Sequence, residues 1–398
     1  MNWKHVSLGE ISVNIQTGPF GSQLHQSDYS EKGTPVVMPK DLISGHISEE
    51  SIARVSDDHV ERLSRHKIEV GDILYSRRGD VGRCAFASET EAGWLCGTGC
   101  LRVTIDSRKA NPKFVFYQLL KADTIGWVEK HAVGSTMLNL NTSILSSVPI
   151  DLPSHDKQNH IVGVLSAYDD LIENNQKQIK LLEEAAQRLY KEWFVDLRFP
   201  GHENTKITDG VPEGWSVQSI NDIAEYINGY AFKPSDWGNL GKPIIKIKEM
   251  GSGIASDTPR NTGESIPERY NVTAGDILFS WSATLSAKIW DEEDGLLNQH
   301  LFKVIPHGGV SREFVLQSIL KTLDEFSNLT TGSTMKHIQR GKLKEVHIIV
   351  PNEQMMHIYE SISEPSREQI LKLKKRIVIL QEARDRLLPK LMSGEIEV

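Results

Sequence analysis

The tetrapeptide Gly-Ser-Thr-Met occurs twice, in "VGSTMLNLN" at residues 133–141 and in "TGSTMKHIQ" at residues 331–339. The two copies begin 198 residues apart, which is about half of the 398-residue chain. Self-similarity at a fixed spacing is the signature of a repeated architecture, so it takes precedence over any local pattern. The spacing predicts that one kind of domain is built twice.

Further segments recur in the same order around this tetrapeptide. The matches are "GTPVVMPKDLISG" (33–45) with "GKPIIKIKEMGSG" (241–253), "VGDILYSRRGDVGR" (70–83) with "AGDILFSWSATLSA" (274–287), "KFVFYQLLK" (113–121) with "EFVLQSILK" (313–321), and Trp3 with Trp215. Short β-branched runs between Gly, Pro and Asp predict strands and turns in each copy. One amphipathic helix per copy is predicted, at Phe114–Lys121 and Phe314–Lys321, so the fold class is α+β.

A heptad pattern follows each globular copy. The first seam has 4-3-4-3 spacing at Ile161, Leu165, Tyr168, Ile172, Asn175, Ile179, Leu182, Ala186, Leu189 and Trp193. The second has the same register at Tyr359, Ser363, Ser366, Ile370, Leu373, Ile377, Leu380, Arg384, Leu387 and Leu391. We predict helices over Asp169–Phe194 and Ser366–Leu391, each about 39 Å long at 1.5 Å per residue. Pro365 is expected to break the second helix, with Ser366 and Gln369 as a capping box.

The seams can be buried in two ways, either by each helix packing on its own domain or by the two helices packing on each other. The matching registers favour mutual pairing, and Asn175 among apolar neighbours would help to fix the register. The predicted organisation is a first globular domain at 1–152, a helical spacer at 153–198, a second globular domain at 199–350 and a C-terminal helical spacer at 351–398.

Composition narrows the class of protein. Charged residues make up 25 % and hydrophobic residues 39 %, as in ordinary soluble globular proteins. The chain has no apolar run of about 18 residues, and "MNWKHVSLGE" lacks a secretory pattern, so a cytoplasmic location is expected. Cys84, Cys96 and Cys100 are a poor disulfide framework, and Cys96 with Cys100 lacks the second Cys/His pair of a zinc site. Ordinary packing of these cysteines is favoured.

The repeats differ where their shared segments end. After "GDIL" with an aromatic and a serine, the first copy continues with Arg77 and Arg78, whereas the second continues with Trp281 and Ser282. After "GSTM" the first copy has "LNL" and the second "KHI". A shared backbone scaffold that presents different side chains would allow the two repeats to recognise two different ligands of the same general kind. The net charge of −8 argues against coating nucleic acid by charge alone, so a nucleic-acid surface must be a local patch.

The chain resembles the specificity (S) subunits of type I restriction-modification systems. The resemblance rests on the paired "GDIL" and "GSTM" segments, on "LLEEAAQRLYKEWFVDL" (181–197) and on the terminus "LLPKLMSGEIEV" (387–398), and it covers essentially the whole chain. It implies two similar target recognition domains related by a pseudo-two-fold repeat and held apart by two long antiparallel coiled-coil helices. Each domain would read one half of a split site in double-stranded DNA, with the helices as a ruler of about one DNA turn, roughly 34 Å.

The resemblance also implies partners. The helices would dock two modification (methyltransferase) subunits, which bring S-adenosylmethionine and methylate adenine. Restriction subunits, the ATP-dependent translocase and nuclease, would join them. This chain would bind no cofactor or metal directly and would be non-catalytic.

The predicted DNA-binding residues come from the local basic clusters, from Asn, Gln and Ser among them, and from the recognition loops that the resemblance implies. Arg suits guanine O6/N7, Asn and Gln suit adenine N6/N7, and Lys suits phosphate. They are Thr17, Gly18, Phe20, Ser22, Lys40, Arg77, Arg78, Arg83, Ser135, Thr136, Asn139, Lys246, Lys248, Trp281, Gln299, His300, Ser333, Thr334, Lys336 and His337. "GTG" (97–99) stands in the first copy where "NQH" (298–300) stands in the second, which leaves that correspondence open.

Two other classes of function are weighed against DNA reading. An enzyme is disfavoured because the chain has no phosphate-binding G-x-x-x-x-G-K-[ST] loop, and "NPKF" (111–114) lacks the second proline expected of an adenine methyltransferase. His300 with Asp291 or Asp294 could form an acid/base set, although isolated His and Asp usually have structural roles. A helical scaffold without DNA readout would not need the paired divergence after identical frames.

Overall fold

The structure is a computed structural model that describes residues 3–134, 137–282, 284–328 and 340–397. In the first repeat the strands are β1 (Lys4–Ser7), β2 (Ser12–Thr17), β3 (Tyr29–Ser30), β4 (Thr34–Val37), β5 (Leu42–Ile43), β6 (His46–Ile47), β7 (Ala53–Val55), β8 (Ile73–Ser76), β9 (Cys84–Phe86), β10 (Leu95–Cys96), β11 (Cys100–Ile105) and β12 (Pro149–Leu152). The helices are α1 (Leu8–Ile11), α2 (Asp57–Arg62), α3 (Pro112–Leu119), α4 (Ala122–His131), α5 (Thr142–Ser146) and α6 (His155–Tyr190).

The second repeat follows the same plan. Its strands are β13 (Ile207–Thr208), β14 (Val211–Pro212), β15 (Ser216–Ser219), β16 (Ala224–Asn228), β17 (Lys242–Ile245), β18 (Arg260–Asn261), β19 (Asn271–Val272), β20 (Ile277–Ser280), β21 (Ser286–Ile289), β22 (Gly295–Leu297), β23 (Leu301–Pro306) and β24 (His347–Val350). The helices are α7 (Ile247–Ser252), α8 (Arg312–Asn328) and α9 (Glu353–Ser393). The predicted helices at 114–121 and 314–321 thus lie at 112–119 and 312–328.

Sheet topology confirms the internal repeat and the α+β class. The first repeat contains an antiparallel sheet in the order β2-β11-β8-β9, and the second contains β16-β23-β20-β21 in the equivalent order. In each repeat the strand of the "PVV" or "PII" segment pairs in parallel with a short strand, β4 with β10 and β17 with β22. A separate antiparallel pair, β1 with β12 or β15 with β24, joins the beginning of each repeat to its end.

The chain divides into two compact units, unit 1 with Met1–Ile172 and Ile379–Val398, and unit 2 with Glu173–Val378. Each unit therefore combines one globular repeat with parts of both long helices. In unit 1, Ile161 and Leu165 of α6 share a hydrophobic core with Leu391 and Met392 of α9. The finer division at 152, 198 and 350 stays a prediction.

Unit 2 has an aromatic core where α6 ends. Tyr190, Trp193 and Phe194 pack with Tyr359 of α9 and with Phe314 of α8. A short π-helical turn, Lys191–Val195, closes α6 and turns Trp193 and Phe194 into this core. The predicted end of the helix at Phe194 falls within that turn.

The heptad prediction is confirmed position by position, since each of the twenty seam residues is buried or half-buried. Mutual pairing of the helices is also found within each unit. In unit 1, Asp169 of α6 meets Arg384 of α9, and in unit 2 Lys374 of α9 lies 3.9 Å from Glu183 of α6. Within each unit the segments of α6 and α9 run antiparallel to each other.

Two predicted boundaries are wrong. Helix α6 begins at His155 rather than Asp169, and α9 runs without a break from Glu353 through Pro365. Pro365 is exposed, while Ser363 before it and Leu373 after it are buried. Packing on both sides thus holds the helix despite the missing N–H. Ser366 is inside the helix, where its hydroxyl donates to the Ile362 carbonyl at 3.3 Å instead of capping an N-terminus.

The remaining features of the fold are simple. Cys84, Cys96 and Cys100 are buried, and burial raises the pKa of Cys84 and of Cys96 to about 12. Within the described ranges no cluster of His, Cys, Asp and Glu could hold a metal ion. Similarly, no described helix is long and apolar enough to cross a bilayer.

Candidate nucleic-acid interface

A glycine directly follows the first strand of each main sheet, β2 or β16, and fixes the loop there. Gly18 donates its N–H to the Cys100 carbonyl at 2.9 Å, and Gly229 donates to Leu301 at 3.1 Å. A Cβ on Gly18 would lie 2.0 Å from the Gly97 carbonyl oxygen, and one on Gly229 would lie 2.2 Å from that of Asn298. No larger residue fits at either position. Each loop therefore lies directly against the turn that precedes the neighbouring strand of its sheet, β11 in the first repeat and β23 in the second.

The turns against these glycines are equivalent in the two repeats. Gly97 donates its N–H to Val37 of β4 at 2.9 Å, and Asn298 donates to Ile245 of β17 at 3.0 Å. Both turns lie between the short parallel strand and the long central strand of their repeat. "GTG" and "NQH" therefore correspond in structure although they share no residue, which settles what the sequence left open.

Four sequence-distant segments meet at one end of the first main sheet. Arg77 donates its N–H to the Gly99 carbonyl at 2.8 Å, and its own carbonyl accepts from Leu140 at 2.8 Å. Arg78 forms an antiparallel bridge with Asn139. The guanidinium carbon of Arg77 is 5.9 Å from the ring centroid of Phe20. We call this surface, made by Phe20, Arg77, Arg78, Thr98 and Asn139, the first reading edge.

The side chains of the first reading edge are available to a ligand. Phe20 is 52 % exposed and Arg78 is exposed, and neither Arg77 nor Arg78 has an acidic partner in the described part of the chain. Arg77 Nε is buried without a hydrogen-bond partner among the described residues. Thr98 Oγ1 donates to the Pro19 carbonyl at 2.9 Å and holds the loop bearing Phe20. The arrangement presents the guanidinium group of Arg77 beside the Phe20 ring, with the exposed Arg78 next in sequence, which suits nucleobases.

The equivalent end of the second main sheet has different chemistry. Trp281 is at the repeat position of Arg77, and its Nε1 donates to Asn228 Oδ1 at 3.2 Å. The ring of His300 lies 5.9 Å from the Trp281 ring, and Gln299 donates its N–H to the Tyr230 carbonyl at 2.9 Å. We call Asn228, Tyr230, Trp281, Gln299 and His300 the second reading edge. His300 Nδ1 is buried and has no hydrogen-bond partner among the described residues.

Four other predicted basic residues in the described part of the chain lie outside the two edges and have local partners. Lys248 pairs with Asp257 at 2.8 Å, Arg83 with Asp80 at 2.5 Å, and Lys40 donates to the Ser51 carbonyl at 2.9 Å. Lys246 is placed 3.9 Å from the ring centroid of Trp237. To bind a DNA phosphate, Lys248 and Arg83 would first have to break their ion pairs with Asp257 and Asp80.

The remaining predicted residues divide between the edge and the undescribed part of the chain. Thr17 pairs with Leu101 at the end of β2, and Ser22 is exposed in the loop after Phe20. Ser135, Thr136, Ser333, Thr334, Lys336 and His337 lie outside the described residues.

A polar network with buried Asp72 and Arg102 lies on β11 and at the start of β8, toward the opposite end of these strands from Arg77 and Gly99. Asp72 lies 3.6 Å from Arg102, and Thr104 donates to Asp72 at 2.5 Å. His66 is 2 % exposed, and its Nε2 lies 2.9 Å from Arg65 Nε. Burial, with the charges of Arg65 and Arg102, lowers the pKa of His66 to about 4, against the opposing effect of the Thr17 backbone. A neutral imidazole thus contacts the backbone of Thr17 at the end of β2.

Sequence reasoning missed Thr98, Asn228, Tyr230 and Trp237. Asn228 precedes Gly229 as Thr17 precedes Gly18, so alignment of the two loops by their glycines would have found it. Trp237 corresponds to Tyr29 of the first repeat, since each follows a Ser-Asp pair and lies four residues before a shared glycine, Gly241 or Gly33, and its contact with Lys246 is what distinguishes it.

Comparison with known proteins connects this geometry to a family. The family model described as "Type I restriction modification DNA specificity domain" matches residues 1–184 and 212–376, one match for each repeat. The chain is 26 % identical over 385 residues to the type I restriction enzyme MjaIX specificity subunit of Methanocaldococcus jannaschii, covering 92 % of this chain and 87 % of the relative. It is 23 % identical to the type I restriction enzyme HindI specificity subunit of Haemophilus influenzae, over 99 % of this chain and all of the relative.

The chain is also similar in fold to a solved structure. The crystal structure of the type I restriction-modification system S subunit from M. genitalium matches with a TM-score of 0.56 and 15 % identity. The match covers 98 % of this chain and 96 % of that structure.

Proposed function

The chain belongs to the family of type I restriction-modification DNA specificity subunits, and we propose that each of its repeats reads one half of a divided double-stranded DNA site. The observation that supports this most directly is the pair of reading edges. Each edge lies at the equivalent end of the main sheet of its own repeat and includes an equivalent glycine-anchored loop, yet the side chains of the two edges differ. Membership in a family of DNA specificity subunits supports this role over a helical scaffold without DNA readout.

The two edges suit different bases. Arg77 at the first edge can donate two hydrogen bonds to guanine O6 and N7, Asn139 nearby can bind adenine, and the more exposed Arg78 can contact phosphate. At the second edge Gln299 and Asn228 are the adenine-type readers, with Trp281 and His300 as flat surfaces beside them. The half-sites are therefore expected to differ in base composition, with guanine contacts concentrated at the first.

The two long helices are proposed to set the gap between the half-sites and to dock partner subunits. Helix α6 has 36 residues and α9 has 41, or about 54 and 61 Å at 1.5 Å per residue. Each length exceeds the roughly 34 Å of one DNA turn. Both helices also expose apolar residues, Leu181 at 64 % on α6 and Ile379 at 66 % on α9. These exposed apolar side chains are proposed to take part in docking the partner subunits.

The chemistry is assigned to the partners. Two modification subunits would hold S-adenosylmethionine and methylate adenine, and restriction subunits would supply ATP-dependent translocation and cleavage. This chain would contribute binding, orientation and spacing, without catalysis, in the cytoplasm.

The test is single-molecule methylation mapping of DNA from cells that express this chain with its cognate modification subunit, compared with cells lacking the chain. The expected result is one split motif with methylated adenine in both halves. A second strain would carry residues 1–152 exchanged for the equivalent domain of a relative. Only one half of the motif should then change.

Two outcomes would overturn the proposal. One is the absence of any new methylated motif although the subunits are expressed and assembled. The other is a domain exchange that alters both halves of the motif or neither. A matched exchange of residues 199–350 serves as the control, since it should change the opposite half only.

A further inference from the structure

Directly beside their seams, the two long helices carry opposite charges at equivalent positions of the repeat. Asp169 of α6 and Arg367 of α9 are 198 residues apart, the spacing of the repeat, and both are buried. In unit 1, Asp169 Oδ1 accepts from Arg384 Nη1 at 2.8 Å, and its Oδ2 accepts from the Tyr117 hydroxyl at 2.5 Å. The side chains of Asp169 and Arg384 are only 10 % and 14 % exposed, so the pair is shielded from solvent.

The equivalent place in unit 2 has no such pair among the described residues. The repeat counterpart of Arg384 is Ala186, and Ala186 and Arg367 line one cavity of about 260 Å³. Arg367 instead pairs with Glu364 of its own helix, and Glu313, 5 % exposed on α8, supplies a further negative charge. The acid that neutralises Arg367 thus comes from outside the facing helix.

We propose that these charges make each long helix complementary to the other and incompatible with a second copy of itself. If α9 paired with another α9 in the native antiparallel register, Arg367 would face Arg384 at both ends of the pair. If α6 paired with another α6, Asp169 would face Ala186 and lose its cation. In such an α9 pair Arg384 would keep its exposed neighbour Asp385 but would lose the buried carboxylate of Asp169. A buried charge that loses its partner or faces a like charge is strongly unfavourable, whereas the native pairing satisfies Asp169.

The selectivity matters because the apolar seams alone do not distinguish the two helices. Both follow one register, and the repeats share one sheet topology, so homotypic pairing of two half-chains is geometrically similar to the native pairing. The buried charges break that equivalence. This selectivity concerns assembly and holds whatever DNA the chain reads.

The experiment uses the full chain with a site-specific protease sequence inserted between Asp209 and Gly210, an exposed hairpin turn. The folded protein is cut, leaving an N-terminal fragment paired with a C-terminal fragment through the helices. The fragments are dissociated in urea, returned to buffer, and their pairs counted by native mass spectrometry without DNA. For the wild type, mixed pairs should exceed pairs of two C-terminal fragments at least about tenfold, the factor that corresponds to about 1.4 kcal/mol.

Arg384→Asp should invert that ratio, because the introduced carboxylate would repel Asp169 in the mixed pair and attract Arg367 in the pair of C-terminal fragments. The matched control is Arg386→Asp, the same charge change on a side chain that is 83 % exposed on the same helix. It should leave the wild-type ratio unchanged. Arg384→Gln should lower the ratio without inverting it.

A wild-type ratio in Arg384→Asp, or an equal shift in Arg386→Asp, would overturn the proposal. If circular dichroism shows that the Arg384→Asp fragments do not refold, the Arg384→Gln variant serves as the test. A wild-type ratio of mixed pairs to C-terminal pairs in Arg384→Gln would also overturn the proposal. A failure to methylate DNA would not affect these results, so the helix selectivity and the proposed function fail independently.

Discussion

The hydroxyl of Tyr117 donates a 2.5 Å hydrogen bond to Oδ2 of Asp169, which ties helix α3 of the first repeat to the seam of α6. Both residues are buried, and burial together with the Asp169 charge raises the pKa of Tyr117, so the phenol remains a donor at every physiological pH. The globular repeat thus contributes to the polar site that holds α6 and α9 together in unit 1.

Tyr117→Phe should lower the free energy of unfolding by about 1.5–3 kcal/mol, because a buried hydrogen bond to a charged acceptor is lost. Urea denaturation followed by circular dichroism measures the change. Tyr168→Phe is the control, since Tyr168 is on α6 beside Asp169 and its hydroxyl has no hydrogen-bond partner in the described ranges. Equal destabilisation by both substitutions would contradict the assigned role.

Asn175→Leu should stabilise the protein. Asn175 is 2 % exposed, and its Nδ2 has no hydrogen-bond partner among the described residues. The repeat itself has a buried leucine, Leu373, at the equivalent position. Removing an unsatisfied buried amide should raise the free energy of unfolding by about 1–3 kcal/mol.

The control for this substitution is Asn174→Leu, which adds the same side chain at the exposed neighbouring position. It should change the stability by less than about 0.5 kcal/mol. A lower melting temperature for Asn175→Leu would mean that the amide has a partner in solution that the described residues do not supply.

The helical part of the fold was predictable from the sequence because a heptad is a local pattern. All twenty seam positions follow from spacing alone. The break predicted at Pro365 is wrong since the rule for proline concerns an isolated helix, and here buried side chains on both sides hold the backbone. The start of α6 was predicted at Asp169 although the apolar seam already begins at Ile161, so residues 161–168 were predictable, whereas residues 155–160 carry no apolar period.

The reading edges were predictable only in part. The repeat located Arg77 and Trp281, since both directly follow a frame that the two copies share. The bridge between Arg78 and Asn139 joins residues about sixty positions apart, and no local pattern specifies such a pairing. The contact between Asn228 and Trp281 is also long-range. It forms because β16, which ends at Asn228, and β20, which ends just before Trp281, belong to one sheet.

The stability of the chain should fall as the pH drops from about 6.5 towards 4, in part because of His66. Its pKa is lowered to about 4 in the folded state, so the unfolded chain binds the proton first. The contribution of His66 is complete above the ordinary histidine pKa and is lost as the pH falls towards the folded value. One titrating group gives at most about 1.4 kcal/mol per pH unit.

His66→Gln should flatten this dependence, because glutamine does not titrate. Melting temperatures measured from acidic to neutral pH test this, with His46→Gln at an exposed position as the control. An unchanged slope in His66→Gln would show that His66 does not take up a proton on unfolding in this range.

Replacing exposed apolar residues of the long helices should weaken docking of the modification subunit. Leu181→Lys and Ile379→Lys each place a charge where an apolar side chain is exposed. A loss of about 1.5–3 kcal/mol per buried side chain corresponds to roughly tenfold or more in affinity. Gln178→Lys adds the same charge on α6 without removing apolar surface. Co-purification equal to wild type in both apolar variants would place the docking surface elsewhere.

Arg77→Ala and Arg78→Ala separate base reading from phosphate contact at the first reading edge. If Arg77 reads a base, its loss should weaken binding by about 1–3 kcal/mol and relax one position of the half-site. Arg77 is the stronger candidate for base reading because its backbone is held on both sides, by Gly99 and by Leu140, and its Nε lacks a partner among the described residues. Arg78 is more exposed, so uniform weakening with a reduced salt dependence is expected there.

Binding of a degenerate DNA library at two salt concentrations distinguishes the two effects. Arg108→Ala is the matched control, because Arg108 follows the opposite end of β11 from the Gly97–Gly99 turn and already pairs with Asp106 at 2.9 Å. It should change neither the preferred sequence nor the salt dependence. If Arg77→Ala weakens every sequence equally, Arg77 contacts phosphate, and the specificity of the first half-site must come from Asn139 or from the shape of the DNA.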